Sequence, residues 1–111
     1  MQFGSVKNPS GNYIKADLAS VTAAAAGVAT QMARDVRVSI TNAPGKTAYP
    51  ICSFTYLLIP MKIDDAAKRN AIKDFLKWML TTGQNSTEAL AYARLPKAVV
   101  SIEMKQLASI Q

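Results

Sequence analysis

The side chains that could carry chemistry are few in this chain. It has 111 residues, no histidine and one cysteine, Cys52. Histidine-based triads, Cys/His dyads, cysteine-rich zinc sites and internal disulfides are therefore excluded within one copy. Cys52 alternates with Phe54 and Tyr56. That pattern favours a small core residue over a reactive thiol, because reactivity needs an exposed electropositive setting.

Two adjacent acids, Asp64 and Asp65, are the next candidates. General acid/base catalysis needs converging carboxylates, and calcium needs about six or more oxygen ligands. Both acids stand directly before a helical pattern, where an N-cap and a first-turn acid belong. We therefore predict that the chain is not an enzyme. We identify no catalytic, cofactor-binding, metal-binding or ligand-binding residues.

The positive charge is the remaining feature that could indicate a ligand. Thirteen Lys and Arg against seven Asp and Glu give a net charge of +6, which could steer phosphate, nucleic acid or anionic lipid. The basic residues are scattered, however, without a basic run or interleaved aromatics. A solvated basic surface is favoured, Trp78 is interpreted as a packing residue, and no nucleic-acid partner is predicted.

Composition predicts a single folded domain with a modest core, since half the residues are apolar and 18% are charged. The N-terminal sequence lacks the pattern of a secretory signal, and no apolar stretch reaches the roughly eighteen residues that span a bilayer. We expect a soluble chain without membrane insertion.

The N-terminal third predicts a hairpin and a helix. Residues 3–7 and 13–15 are candidate strands joined by the turn sequence "NPSG". A helix is predicted from Ala16 or Asp17 to Gly27, with an alanine-rich face that permits close packing.

Two longer strands are predicted around a turn. Residues 34–40 alternate polar and apolar side chains, which is typical of a half-buried strand. The turn "NAPGK" follows; its single glycine leads into a strand, which argues against a phosphate-binding loop. Residues 51–59 are apolar on both alternate faces and are bracketed by Pro50 and Pro60, which predicts a strand covered on both sides.

The C-terminal half predicts helices. The best-defined pattern begins at Asp64 or Asp65 and ends before Gly83. Asn85 or Ser86 is the predicted cap of a short helix, and Pro96 stands near the first turn of the last one. The inner side of this last helix is formed by Val99, Val100, Met104 and Leu107.

The stretches "ITNAPGKTAYPICSFTYLLI", "AIKDFLKWMLTTGQ" and "LAYARLPKAVV" strongly resemble the C-terminal third of the periplasmic phosphate-binding proteins of ABC importers. The family pattern has an "ITN..G..AYPI" entry into an apolar strand, a "FLKW" helix followed by "T.GQ", and "LGYAPLP..VV" before the last helix. Residues 6–27 resemble the family as well. Ala91, Arg94 and Cys52 depart from the residues that the family often has at these positions.

The resemblance implies an α/β fold, a partial type II periplasmic-binding-protein-like segment with few strands and about four helices. The strand at residues 51–59 then lacks neighbouring strands. Because its unpaired backbone groups and apolar faces invite pairing with another chain, we predict that oligomerisation completes the fold. Residues 1–44 resemble the end of the second lobe, and residues 45–111 resemble the return to the first lobe. The family's phosphate contacts come from earlier motifs, none of which matches a position here.

The implied function is that of a phosphate-importer solute-binding segment that supplies scaffold and makes no ligand contacts. The alternative is a stand-alone structural or protein-interaction module derived from that family. The expected partners are a second copy or a missing N-terminal fragment, with inorganic phosphate and an ABC permease if the fold is completed. By resemblance, the expected location is periplasmic or extracytoplasmic. We expect no cofactor.

Overall fold

The computed structural model describes residues 3–111. These residues form helices and one small sheet, an α/β mixture that is consistent with a fragment of a larger fold. The elements are β1 (Val6–Lys7), β2 (Tyr13–Ile14), α1 (Leu18–Gly27), α2 (Ala29–Met32), α3 (Ala66–Leu80), the 3-10 helices Thr82–Ser86 and Glu88–Leu90, and α4 (Lys97–Ala108).

The predicted N-terminal hairpin is confirmed. Strands β1 and β2 pair antiparallel, with Val6 opposite Ile14 and Lys7 opposite Tyr13. The turn between them closes through the Gly11 N–H, which donates to the Asn8 carbonyl at 2.9 Å. Gly11 has a φ of 85°, a left-handed conformation that glycine adopts without steric cost.

Helix α1 begins and ends where the sequence predicts. The Asp17 carboxylate accepts from the Ser20 N–H at 2.7 Å, and the Ser20 hydroxyl accepts from the Asp17 N–H at 3.1 Å. This reciprocal capping box satisfies two N–H groups at the start of the helix. The bond from the Ser20 backbone also lowers the pKa of Asp17. The helix ends at Gly27, and the single turn α2 follows at Ala29.

Gly27 is also the point where the loop at residues 41–50 approaches the helix. A Cβ atom at this position would collide with the Pro44 carbonyl oxygen. The missing side chain therefore lets the loop lie directly against the C-terminal end of α1.

The strands predicted at residues 34–40 and 51–59 are wrong: among residues 3–111, only β1 and β2 form a sheet. The two segments do lie side by side in antiparallel order. The Asn42 N–H donates to the Pro50 carbonyl at 2.9 Å, and the Tyr56 hydroxyl donates to the Val38 carbonyl at 2.7 Å. The first bond lies in the loop between the two segments. Within residues 3–111, no backbone–backbone bond joins residues 34–40 to residues 51–59, so no ladder forms. The residues are prone to form strands, but within the described residues no neighbouring strand pairs with them.

The long helix is confirmed, although it is shorter than predicted. The Asp65 carboxylate caps α3 by accepting from the Lys68 N–H at 3.0 Å. The helix ends at Leu80 and continues as 3-10 turns. The predicted cap at Asn85 or Ser86 is wrong, because both residues lie inside the 3-10 helix Thr82–Ser86.

The last helix also matches its prediction. Pro96 is the N-cap of α4. Val99 and Leu107 are buried, and Val100 and Met104 are half-buried, so the predicted inner side faces the rest of the molecule.

The core is small and joins the two halves of the chain. Its buried cluster consists of Ala24, Val28, Met32, Ile40, Ala43, Ala48 and Val99. The accessible surface is 7722 Å², whereas a folded monomer of 11.9 kDa exposes about 5,900 Å². The radius of gyration is 15.7 Å, against about 13 Å for a compact domain of this length. The molecule is therefore open, with roughly 1,800 Å² more surface than its mass requires.

Candidate interaction surface

The most unusual part of the surface is the open segment, defined as residues 51–61. In the described chain, residues 3–111, no backbone group of residues 53–60 forms a hydrogen bond. Its two ends, in contrast, are anchored. The Thr41 hydroxyl donates to the Cys52 carbonyl at 3.2 Å, and the Gln111 N–H donates to the Met61 carbonyl at 2.8 Å. The middle is thus held between two fixed points with its backbone polar groups unpaired.

Most side chains of the open segment are apolar, and several of them are exposed. Leu58 is 94% exposed, Ile51 64% and Leu57 55%. No charged residue occurs between Lys46 and Lys62. Exposed contiguous apolar surface of this kind marks interaction sites, because single scattered apolar residues are the norm on monomers.

Helix α3 also carries exposed apolar side chains. Phe75 and Trp78 stack with ring centroids 6.0 Å apart and an interplanar angle of 21°. Trp78 packs, as predicted from the sequence, but its partner is Phe75 and it remains half exposed. The pair therefore adds aromatic area to the exposed surface.

A cleft of about 580 Å³ lies between α1, the open segment, α3 and α4. Its wall is mainly apolar and includes Phe54, Ile59 and Leu76. Glu103 lines it as well, and burial raises the pKa of that carboxyl. The Arg94 guanidinium at the rim is paired with Glu88 at 3.0 Å. This lining suits apolar side chains better than an anion, which requires converging donors or cations.

The loop that leads into the open segment is fixed by Asn8. This side chain is only 4% exposed. Its Nδ2 donates to the carbonyls of Gly45, Lys46 and Ala48 at 3.0 to 3.1 Å, so at least one N–H is shared. Its Oδ1 accepts from two N–H groups of its own turn, those of Ser10 and Asn12. Asn8 therefore joins the hairpin to the loop at residues 41–50.

Sequence reasoning missed the role of Asn8. The "NPSG" turn indicated that its side chain could bond within its own turn. Nothing in the sequence indicated that the same amide also reaches carbonyls 37 to 40 positions away. The hydroxyl of Tyr56 and the carboxyl of Glu103 were missed for the same reason, since both depend on long-range packing.

Cys52, the lone thiol considered at the outset, is half-buried. Its Sγ donates to the Tyr49 carbonyl at 3.2 Å, and burial raises its pKa. It packs against the core cluster. A raised pKa disfavours the thiolate, which is the nucleophilic form.

The two acids considered as chemical candidates are separated by their roles. Asp65 caps α3. Asp64 forms an exposed ion pair with Lys62 at 3.2 Å. Within residues 3–111, no three Cys, Asp or Glu side chains are grouped so that they could hold a metal ion.

Another exposed pair joins Asp35 and Arg37 at 2.7 Å. Hydrogen bonds from Arg37 lower the pKa of Asp35 to about 2. Both side chains belong to the same exposed stretch of chain, so the pair neutralises its own charge and creates no anion site.

Among residues 3–111, no helix has the length and apolar character needed to cross a bilayer.

Comparison with known proteins gives one consistent result. The phosphate-binding protein PstS of Xylella fastidiosa is 35% identical over 100 residues, which are 90% of this chain and 28% of that protein. The phosphate-binding protein PstS of Methanocaldococcus jannaschii is 34% identical over 113 aligned residues, 97% of this chain and 29% of that protein. A Pasteurella multocida relative of the same name is 26% identical over 100 residues. No family model matches the chain.

The resemblance read from the sequence is confirmed by these relatives. They are named as binding proteins and not as enzymes. The chain spans less than a third of the length of the curated relatives it matches. Such partial coverage is consistent with a C-terminal fragment of the family.

Proposed function

We propose that this chain is a scaffold segment of the solute-binding component of a phosphate importer. The chain is similar to less than a third of the length of the phosphate-binding protein PstS. The observation that carries the proposal is the coverage: the similarity extends over 90% of this chain and only 28% of the relative. A segment that corresponds to 28% of a binding protein supplies only part of that protein's framework. The chain is not itself an enzyme in this proposal.

The charges of the described residues support a scaffold without ligand contacts. Three acids pair with Arg37, Lys62 and Arg94, and all three pairs lie on exposed surface. The cleft wall is mainly apolar. Tight phosphate binding needs several charge-assisted donors aimed at one point.

The proposed architecture is a type II periplasmic-binding fold of which this chain is a part. Residues 1–44 belong to the end of the second lobe and residues 45–111 to the return into the first. The open segment then becomes a strand once other strands lie beside it. Those strands come from a second copy or from a chain that carries the missing part. The completed protein works outside the cytoplasm with an ABC permease.

Calorimetry tests the scaffold proposal. The chain is titrated with inorganic phosphate near neutral pH, and sodium chloride of equal ionic strength is the control. We expect no saturable heat in the micromolar range, because ligand contacts lie outside the chain. A one-to-one micromolar site that chloride does not reproduce would overturn the scaffold role and establish direct binding.

A second candidate function is that of a stand-alone protein-interaction module derived from the same family. The excess of roughly 1,800 Å² of surface favours it. The genes that neighbour this one distinguish the two candidates. Permease and ATPase genes alongside it support the transport role, and their absence from every genome that carries the gene supports the module.

A further inference from the structure

We infer that the open segment pairs with the open segment of a second copy of this chain, as two antiparallel strands related by a two-fold axis. The inference rests on the proposed completion of the fold by another polypeptide and names the segment, the partner and the geometry. It does not depend on phosphate binding.

The unpaired backbone is the first support. Residues 53–60 have no backbone hydrogen bonds within residues 3–111, and a row of unpaired N–H and C=O groups is a template for strand addition. Both ends of the segment are anchored, at Cys52 and at Met61. Pairing therefore fixes only the middle residues, which limits the entropy that association must overcome.

Charge distribution is the second support and explains why a second copy is acceptable. The chain carries a net charge of +6, so two copies repel each other over most of their surfaces. Residues 47–61 contain no charged side chain. Two open segments can therefore approach each other without placing like charges in direct opposition, which would destabilise a strand pair.

Surface area is the third support. A stable interface buries about 800 Å² on each partner. The chain exposes about 1,800 Å² beyond the expectation for its mass. Ile51, Leu57 and Leu58 of the open segment and the Phe75/Trp78 pair are each at least half exposed and contribute to the surface of the molecule. The available surface is thus sufficient for a dimer.

Symmetry specifies the register. In a two-fold pair, residue i contacts residue j and residue j contacts residue i. Pro60 lacks an N–H and ends the usable stretch, so residues 53–59 are centred on Tyr56. The register that pairs the whole stretch places Ser53 opposite Ile59 and Phe54 opposite Leu58 of the second copy.

The test combines molar mass by light scattering with hydrogen exchange of the intact chain. We expect a mass of twice the chain at about 100 µM, and slow amide exchange at residues 53–59 that becomes faster on dilution. A monomer at this concentration with fast exchange there overturns the inference. A dimer whose residues 53–59 still exchange fast, or an open-ended aggregate, overturns it as well.

Two matched variants sharpen the test. Leu58 is 94% exposed and Leu90 68% exposed, so a lysine at either position leaves the core untouched. Leu58→Lys places a charge against Phe54 of the second copy and should raise the dimer dissociation constant by about tenfold or more. Leu90→Lys should change it by less than about threefold. Equal effects of the two variants would contradict the inference.

The phosphate titration is read independently of the molar mass. A monomer that binds no phosphate removes the strand pair and leaves the scaffold proposal intact. A dimer that binds phosphate tightly overturns the scaffold proposal and leaves the strand pair intact. Co-purification of a larger chain that protects residues 53–59 overturns the second copy as the partner and identifies the missing part of the fold instead.

Discussion

The loop at residues 41–50 and the open segment that follows it differ in how their backbone groups are satisfied. In the loop, Asn8 bonds three carbonyls, and the Tyr49 N–H donates to the Ser20 carbonyl at 3.1 Å. Ala43 and Ala48 of the loop are buried. In the open segment, residues 53–60 have no such partner among residues 3–111.

The comparison shows that apolar content alone does not order a segment. The open segment is the more apolar of the two, yet Leu57 and Leu58 are exposed, whereas the polar loop is fixed. Burying an apolar strand also buries its backbone, which costs free energy unless every N–H and C=O finds a partner. The loop finds its partners on Asn8, Asn12 and the backbone around it, whereas the backbone of residues 53–60 finds none within residues 3–111.

The largest effect on the fixed region is expected from Gly27→Ala. An alanine in a helix is normally better than glycine by about 1 kcal/mol. Here the new Cβ would collide with the Pro44 carbonyl oxygen, and a backbone atom cannot move aside without displacing the loop. We expect a loss of more than about 3 kcal/mol in the free energy of unfolding, measured by urea denaturation.

Gly4→Ala is the matched control, because nothing lies within 4 Å of a Cβ at that position. Its effect should stay within about 0.5 kcal/mol. If both variants unfold at the same urea concentration, the loop does not lie against α1 as described.

Asn8→Ala should have the next largest effect. The change removes bonds to three carbonyls and to two N–H groups at a buried position. We expect a loss of about 2 to 4 kcal/mol and faster amide exchange throughout the loop.

Asn12→Ala provides the comparison for Asn8. Asn12 donates to the Lys46 carbonyl at an exposed position, so it tests the same connection without burial. Its replacement should cost about 1 kcal/mol or less. Equal costs for the two asparagines would mean that burial does not strengthen the Asn8 bonds.

The same contrast explains how far the sequence could be read. The starts of three helices were predicted to within about one residue, at Ala16 or Asp17, at Asp64 or Asp65 and near Pro96, because a cap is defined within about four residues. The strands at residues 34–40 and 51–59 were predicted wrongly, although their side-chain patterns are typical. A strand also depends on partners elsewhere, and Asn8 acts over a distance that no local pattern encodes.

The contacts and exposure of the open segment were predicted only in part, because they too depend on distant residues. The side-chain pattern predicted that residues 51–59 form a strand covered on both sides, whereas Leu57 and Leu58 of this stretch are exposed. Which side chains connect the two extended stretches could not be read from the sequence. Tyr56 stands in a run of apolar residues, where its ring was expected to pack, and its hydroxyl bonds carbonyls 18 and 20 positions earlier.

Tyr56→Phe is expected to have a smaller effect, and it tests how the open segment is held. The hydroxyl donates to the Val38 carbonyl at 2.7 Å and lies 3.4 Å from that of Val36, at an exposed position. Its removal should cost about 1 kcal/mol or less by urea denaturation. Tyr92→Phe is the control, since its hydroxyl has no hydrogen bond within residues 3–111 and Tyr92 is 61% exposed. Identical midpoints for the two variants would mean that the Tyr56 hydroxyl does not help to hold the two segments together.

The smallest effect is expected from Glu103→Gln in the cleft beneath the open segment. Burial raises the pKa of Glu103 above its ordinary value, so the folded state favours the protonated carboxyl. Its contribution to stability is present below the ordinary pKa and is lost as the pH rises through the folded pKa. At pH 7 the Glu103→Gln variant should therefore be the more stable protein, by less than about 1 kcal/mol, and this advantage should shrink towards pH 4.

Glu88→Gln is the control: it removes an exposed ion pair with Arg94 and should shift stability at pH 7 in the opposite direction. Thermal unfolding between pH 4 and pH 7 measures both, and a destabilised Glu103→Gln at pH 7 would mean that the carboxylate has a favourable partner in the cleft.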